Sequence, residues 1–166
     1  ITRCILPKQR CGHVAVGVGQ NEMLVFGGQN VSQVQYFDDL WTLKLEPTPQ
    51  WKMVCPSGNI PRARWYSSAV FYDDQLFVYG GEGENYELIK DVSVYSRTDN
   101  RWLNLRTIYP YPNARMLHSA CIVEESMIIV GGVGKDEMST ADVWKFDLSK
   151  LSEPTHCLYL FDLHTE

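Results

Sequence analysis

Hydrophobic and polar positions follow one another along this chain in short stretches, without the sustained period of an α-helix. Strand-like stretches of mostly apolar residues stand out at Met23–Phe26, Gln75–Tyr79 and Met127–Val130, and a Gly-Gly pair closes each stretch. Runs of this kind are expected where both faces of a strand pack against neighbouring elements. The pattern therefore predicts an all-β fold of short, buried strands in which helices are minor.

A motif that precedes each apolar stretch shows that the pattern is an internal repeat. It reads Pro-x-x-Arg-x-x-His-x-Ala from Pro7 and from Pro112, and Ser replaces His in the copy that begins at Pro61. Downstream, an Asp opens another strand-like stretch in each copy, and Trp51 is matched by Trp102. Each unit is predicted to be an antiparallel meander of four short strands, a to d. Strands a are expected at 13–18, 66–72 and 118–123, strands b at 23–27, 75–79 and 127–130, strands c at 39–45, 91–95 and 142–147, and strands d at 51–54, 102–105 and 155–161.

Four-stranded units of about 50 residues, with a glycine pair after the second strand and a tryptophan in the fourth, resemble kelch repeats. The resemblance implies that each unit is one blade of a β-propeller, with strand a at the central axis and strand d at the rim. The expected fold is an all-β, kelch-type β-propeller segment of three four-stranded antiparallel blades. One such segment covers 1–166, with blades at about 7–54, 61–105 and 112–161.

Ring closure raises a question, because a closed propeller usually has at least about four blades and three leave sheet edges open. Either the chain is part of a larger propeller that has additional blades, or two copies associate to close one ring. The first arrangement is preferred, and the second stays open.

Composition narrows the range of partners. A net charge of −5 with scattered basic residues predicts no patch for a phosphate backbone, so nucleic acid is not expected as a partner. No apolar run approaches the roughly 18 residues of a membrane-spanning helix, so no membrane is expected either. The five cysteines are widely spaced without a Cys-x-x-Cys pair, which is typical of reduced, mostly buried thiols. A cytoplasmic, reducing location is predicted.

The loops between strands b and c are the least alike among the three repeats. They cover 29–37, 82–90 and 133–141. In an antiparallel meander these loops emerge on the same face as the d–a loops. Since recognition commonly resides in unlike loops on a repeated scaffold, we predict that this face binds a partner.

The repeat arginines Arg10, Arg64 and Arg115 lie at the start of strand a on that face, and an Asp opens strand c at the same end. Two interpretations are open. Each Arg either pairs with the Asp of its own repeat, because a forked guanidinium suits paired acceptors, or joins a positive ring that binds an acidic peptide. In the second case Arg62 would reinforce the ring.

Aromatic residues near the same face are further candidate anchors, because aromatic and arginine side chains dominate the binding energy of many interfaces. The competing interpretation is that these rings pack between blades. The full set of predicted partner-binding residues is Arg10, Arg62, Arg64, Trp65, Tyr66, Tyr86, Tyr111 and Arg115.

Catalytic signatures are poor. His13 and His118 share a repeat position and are interpreted as structural, and no His-Glu-x-x-His or Gly-x-Ser-x-Gly motif occurs. No catalytic residue, metal or cofactor is predicted. The favoured function is a non-catalytic protein-protein interaction module, an adaptor or scaffold whose partner is a protein or an acidic peptide. The alternative is part of a propeller enzyme whose metal or substrate site lies largely in blades outside this chain.

Overall fold

The computed structural model of the protein describes residues 6–107, 111–149 and 157–162. In these ranges the chain forms successive antiparallel sheets, with no α-helix and one 3-10 turn. The predicted all-β class is therefore confirmed. None of the described segments is a helix of the length and apolarity needed to cross a bilayer.

The first blade is an antiparallel meander with the strand order β1-β2-β5-β6. A 3-10 turn at Val31–Gln33 joins two further short strands, which form a ribbon within the first b–c loop. The polar sequence of this loop had not predicted an ordered ribbon. The strands are β1 (Val14–Gly17), β2 (Glu22–Phe26), β3 (Gln29–Asn30), β4 (Gln35–Tyr36), β5 (Leu40–Lys44) and β6 (Gln50–Val54).

The second and third blades repeat the meander and each gains a short fifth strand. The second contains β7 (Ser57–Gly58), β8 (Ser68–Tyr72), β9 (Gln75–Tyr79), β10 (Val92–Ser96) and β11 (Arg101–Asn104). The third contains β12 (Arg106–Thr107), β13 (Ser119–Val123), β14 (Ser126–Val130), β15 (Val143–Asp147) and β16 (Cys157–Asp162). The four strands predicted for each unit are confirmed, including the last strand of the third.

The fifth strands come from the linkers between blades, which the sequence had placed outside any sheet. Residues of β7 pair in parallel with β11, and those of β12 pair in parallel with β16. A Cβ atom at Gly58 would lie 2.3 Å from the carbonyl oxygen of Trp102, so only glycine fits this approach. Each linker thereby covers the outer edge of the blade that follows, where unpaired backbone groups would otherwise face solvent.

The first strands of successive blades lie side by side, as expected for inner strands around a common axis. Strand β8 contacts both β1 and β13. The backbone N–H of Tyr66 donates to the carbonyl of Gly12 at 2.8 Å, and that of Leu117 donates to the carbonyl of Tyr66 at 3.1 Å. These equivalent residues link the blades near the axis.

The hydrophobic core lies between blades, in two clusters. In β9, Leu76 and Val78 pack toward the first blade, whereas Phe77 and Tyr79 pack toward the third. This two-sided burial explains the consecutive apolar residues of the sequence. The repeat tryptophan Trp102 is 1% exposed and its ring centroid lies 5.1 Å from that of Phe26 in the first blade.

The glycine pairs allow the backbones of neighbouring blades to approach each other. The N–H of Gly81 donates to the carbonyl of Arg115 at 2.9 Å, and Gly28 makes the equivalent bond to Arg64 at 2.8 Å. At Gly80, where φ is +67°, a Cβ atom would lie 2.7 Å from the carbonyl oxygen of Arg115 in the third blade. The predicted need for positive φ and close approach is confirmed.

The cysteines differ from expectation in one respect. Cys11, Cys55 and Cys121 are free thiols, as predicted, but they are exposed rather than buried. Cys121 lies on a sheet face of the third blade whose counterparts in the other blades are covered. The side chains of Cys4 and Cys157 lie outside the described residues, and the cytoplasmic location stays a prediction.

Candidate functional site

Each repeat arginine forms a bidentate ion pair with the aspartate that opens the third main strand of its own blade. In the third blade, Nη1 and Nη2 of Arg115 lie 2.6 and 2.7 Å from Oδ1 and Oδ2 of Asp142. The same Nη1 donates to the carbonyl of Gly131 at 2.8 Å, which fixes the start of the b–c loop. The other two pairs are Arg10 with Asp39 and Arg64 with Asp91.

These pairs confirm the structural interpretation of the repeat arginines. The side chains of Arg10, Arg64 and Arg115 are 5%, 0% and 2% exposed, and each guanidinium is neutralised by a carboxylate. The three arginines therefore do not form a free positive ring. Their guanidinium groups instead anchor the start of the b–c loops. These three guanidinium groups were the main positive charges expected to attract an acidic peptide, and each is now paired with an aspartate.

The ion pairs also set the ionisation of the aspartates. Hydrogen bonds from Arg115 hold the pKa of Asp142 well below its usual range, against the opposing effect of burial, and Trp144 adds to the lowering. Burial alone would raise the pKa of Asp39, but hydrogen bonds from Arg10 and Trp41 outweigh it and lower that pKa. Both carboxylates are charged at neutral pH.

A tryptophan closes this arrangement in two blades. The indole Nε1 of Trp41 donates to Asp39 at 2.6 Å, and that of Trp144 donates to Asp142 at 2.5 Å. In the second blade Ser93 occupies the equivalent position. The repeated Asp-x-Trp spacing was visible in the sequence, but its hydrogen-bonding role was not predicted.

The b–c loop of the second blade is a tight turn held by its own carboxylate. Glu87 accepts a hydrogen bond from the backbone N–H of Asn85 at 2.9 Å, and its carbonyl accepts one from Gly83 at 3.0 Å. From the neighbouring d–a loop, Arg62 pairs with Glu87 at 3.3 Å. The pKa of Glu87 is lowered, mainly because its carboxylate accepts hydrogen bonds from the backbone of its own turn.

Trp65 connects the start of the second blade to this loop. Its Nε1 donates to Oε1 of Glu82 at 2.9 Å, and the two residues also exchange backbone hydrogen bonds. Its ring stacks on Tyr66 with centroids 4.0 Å apart and meets Tyr36 edge-on at 6.1 Å. Because these rings contact one another across the blades, packing accounts for part of the predicted aromatic set. The buried carboxylate of Glu82 was not predicted.

The eight predicted partner-binding residues thus differ in accessibility. Arg62 is 58% and Tyr86 is 74% exposed on the loop face. Tyr111 is partly buried, and its hydroxyl accepts a hydrogen bond from Lys90 at 3.0 Å. Trp65 and Tyr66 are also partly buried, whereas the three repeat arginines have buried side chains. Binding of a partner stays a prediction for all eight.

A cleft of about 600 Å³ lies between the b–c loops of the second and third blades, above the start of β13. It brings together parts of the chain that are distant in sequence, so no local motif announced it. Its lining residues are Glu82, Tyr86, Glu87, Leu88, Ala114, Met116, Gly134, Lys135 and Glu137.

The histidines of the repeat position differ in their surroundings. His118 is 7% exposed and lies edge-on to Tyr79 at 5.1 Å. Burial lowers the pKa of His118 to about 4, with a further contribution from Arg115. His13 in the first blade is exposed. Within 6–107 and 111–149 no group of three potential metal ligands occurs.

Comparison with known proteins agrees with the architecture. The KLHDC2/KLHL20/DRC7 Kelch-repeats domain matches residues 2–152. The chain is 32% identical to mouse Kelch domain-containing protein 1 over 137 residues, which is 82% of this chain and 33% of that protein. It is 32% identical to human Kelch domain-containing protein 2 over 162 residues, or 90% of this chain and 39% of that protein. The chain thus spans about a third of the length of these relatives.

The solved structure of YjhT has the same fold. It superposes with a TM-score of 0.70 at 16% sequence identity, covering 92% of this chain and 45% of YjhT. At this identity the likeness concerns the fold alone.

Proposed function

The chain belongs to the kelch-repeat family, and from that premise we propose that it is a non-catalytic protein-interaction module whose b–c and d–a loops bind a partner protein. In this role it acts as an adaptor or a scaffold. Fold alone does not determine function, so the support comes from the loop face itself.

The proposal depends on one observation: the same Arg–Asp pair anchors a different b–c loop in each blade. The Arg–Asp pair recurs in all three blades with the same donors and acceptors. The loops that these pairs anchor differ: a ribbon with buried Gln29 and Asn30 in the first blade, and a glutamate-capped turn in the second. A rigid base with variable, accessible loops is the arrangement that proteins use for recognition.

Photo-crosslinking tests the proposal directly. A benzoylphenylalanine placed at Tyr86 probes the loop face, and one placed at Asp73, in the turn between β8 and β9, probes the opposite face. We expect the probe at Tyr86 to capture a defined protein that then binds the unmodified chain in purified form. Equal capture from both positions, or no binding by the purified protein, would contradict the proposal.

We also propose that a further blade covers the outward face of the third blade. Val130 is 46% exposed, whereas the residues before the glycine pair in the other blades, Phe26 and Tyr79, are 0% and 1% exposed. Strand pairing places Cys121, Ile128 and Val130 on this same face. The corresponding faces of the first two blades are buried against their neighbours.

Sedimentation velocity of the isolated chain checks this second proposal. Because Cys121, Ile128 and Val130 leave apolar surface on this face, we expect concentration-dependent association that Val130→Lys weakens. The control is Ile60→Lys, which changes an equally exposed residue in a linker. If both variants associate like the unmodified chain, the face does not require a cover.

A further inference from the structure

The cleft between the second and third blades is lined by a largely buried glutamate whose carboxylate has no matching cation. Glu82 is 9% exposed, and its hydrogen-bond donors are the indole of Trp65 at Oε1 and a backbone N–H at its carbonyl. Within the described ranges, no Lys, Arg or His forms an ion pair with it. An unpaired carboxylate that opens into a cleft attracts a cationic group.

Glu87 and the aspartates of the blade frame differ from Glu82 in this respect. Glu87 is compensated by Arg62 and by a backbone N–H. The three aspartates of the blade frame are each paired with an arginine. Oε2 of Glu82 is therefore an acceptor in the cleft for which the described chain supplies no donor.

The remainder of the cleft suits the stem of a long basic side chain. Leu88, Ala114 and Met116 provide apolar lining near Glu82, and Tyr86 stands exposed at the rim. Lysine and arginine bury their methylene groups along apolar surface while the charged end reaches a polar partner. An aromatic ring at the rim adds a favourable face for a cation.

The geometry points to a binding site for an arginine or lysine side chain of the partner protein, with Glu82 as the residue that pairs with its charged end. This inference rests on the proposed function and supplies its chemistry. Lys135 on the opposite wall of the cleft repels an incoming cation, whereas Glu82 and Glu137 attract it, so the unpaired carboxylates outnumber the lysine. The partner segment is thus basic rather than acidic.

A small probe tests the site without knowledge of the partner. The full chain is titrated with N-acetylarginine N-methylamide and, in parallel, with the citrulline analogue, which has nearly the same shape and no charge. The readout is the NMR signal of the Trp65 indole N–H, because that group donates to the carboxylate in question. The indole signals of Trp41, Trp51, Trp102 and Trp144 serve as internal references.

We expect a saturable shift of the Trp65 signal with the arginine probe and binding about tenfold weaker for citrulline, as for loss of one charge-assisted hydrogen bond. Glu82→Gln, which preserves shape and the acceptor for Trp65, should weaken arginine binding by a similar factor. Glu124→Gln, an equal change of charge at an exposed residue of the opposite face, should not. Lys135→Ala should tighten binding.

Equal shifts with citrulline, or equal binding by Glu82→Gln, would overturn the inference, as would the absence of a saturable shift. These outcomes are separable from failure of the proposed function. If crosslinking at Tyr86 identifies a partner but the arginine probe does not bind, only the basic chemistry is wrong. If the probe binds and no partner is captured, the site exists but the interaction role is wrong.

Discussion

All three blades contain the same Arg–Asp ion pair, but the second blade covers its aspartate less than the other two blades do. In the first and third blades, Asp39 and Asp142 are covered by an indole and are 26% and 25% exposed. In the second blade Ser93 replaces the tryptophan, and the side chain of Asp91 is 50% exposed. The comparison teaches that a repeat can preserve the bond that anchors its loop while changing how much charge the loop face presents.

Removal of the arginine gives the largest expected difference between the blades. Arg115→Met leaves a partly covered carboxylate without its cation and should lower the free energy of unfolding by about 3 kcal/mol or more. Arg64→Met should lower it by about 1 kcal/mol less, because water solvates the more exposed Asp91. Urea denaturation of the two variants measures both values. Equal losses would show that the exposed carboxylate is not better solvated.

The histidine of the repeat motif is expected to make the stability of the third blade depend on pH. The folded-state pKa of His118 is about 4, below the value near 6.5 of an unfolded histidine, so folding favours the neutral ring. The stability that this preference supplies is fully present above the pKa of the unfolded histidine. It is lost as the pH falls from there toward the pKa of the folded state. Linkage predicts a loss of about 2 kcal/mol in unfolding free energy between pH 7 and pH 5.

Variants at the two histidines assign this pH dependence. In urea titrations at several pH values, His118→Gln should flatten the slope, whereas His13→Gln should leave most of it, because burial lowers the pKa of His13 less than that of His118. A slope that survives in His118→Gln would place the titrating group elsewhere.

Replacing a tryptophan tests what its indole contributes to the aspartate of the first and third blades. Trp144→Phe keeps a ring but removes a 2.5 Å hydrogen bond to Asp142, and should cost about 1.5 kcal/mol. The pKa of Asp142 should rise, which moves acid unfolding to higher pH. Thermal and acid denaturation provide the measurement. Trp51→Phe is the control, since the ring contact of Trp51 with Trp41 needs no N–H.

The smallest stability effect is expected for the exposed arginine of the second blade. Arg62→Ala breaks a solvent-exposed pair with Glu87 and should change the free energy of unfolding by less than about 0.5 kcal/mol. The same variant should alter capture of a partner by the loop face. A destabilisation as large as that of Arg115→Met would mean that exposure does not distinguish the two arginines.

Much of the fold was predictable because the repeat exposes it. Glycine pairs, apolar stretches and the Pro-x-x-Arg motif located the main strands, and the chemistry of a forked guanidinium suggested the Arg–Asp pairs. The short strands β7 and β12 were not predicted, because two polar residues such as Ser57 and Gly58 have no alternation to detect. Their pairing depends on the neighbouring blade.

The candidate site was predictable to a lesser extent. Arg62 was identified as a neighbour of the repeat arginines and Tyr86 as an aromatic residue near the same face, and the structure exposes both. The role of Glu82 was not, since its burial and its bond to Trp65 arise from contacts across the fold that no local pattern encodes. The acidic peptide was predicted from the alternative in which the repeat arginines form a positive ring, and the Arg–Asp pairs favour the other interpretation of these arginines.

The parallel pairing of each linker with the rim of the next blade has a mechanical consequence. A stretching force along the backbone reaches Ser57–Gly58 as it leaves the first blade, and there it meets hydrogen bonds to β11 before it can straighten the linker. Tension on one blade is thus passed to the following sheet. We therefore expect a pull on this linker to load the sheet of the second blade before the linker itself extends.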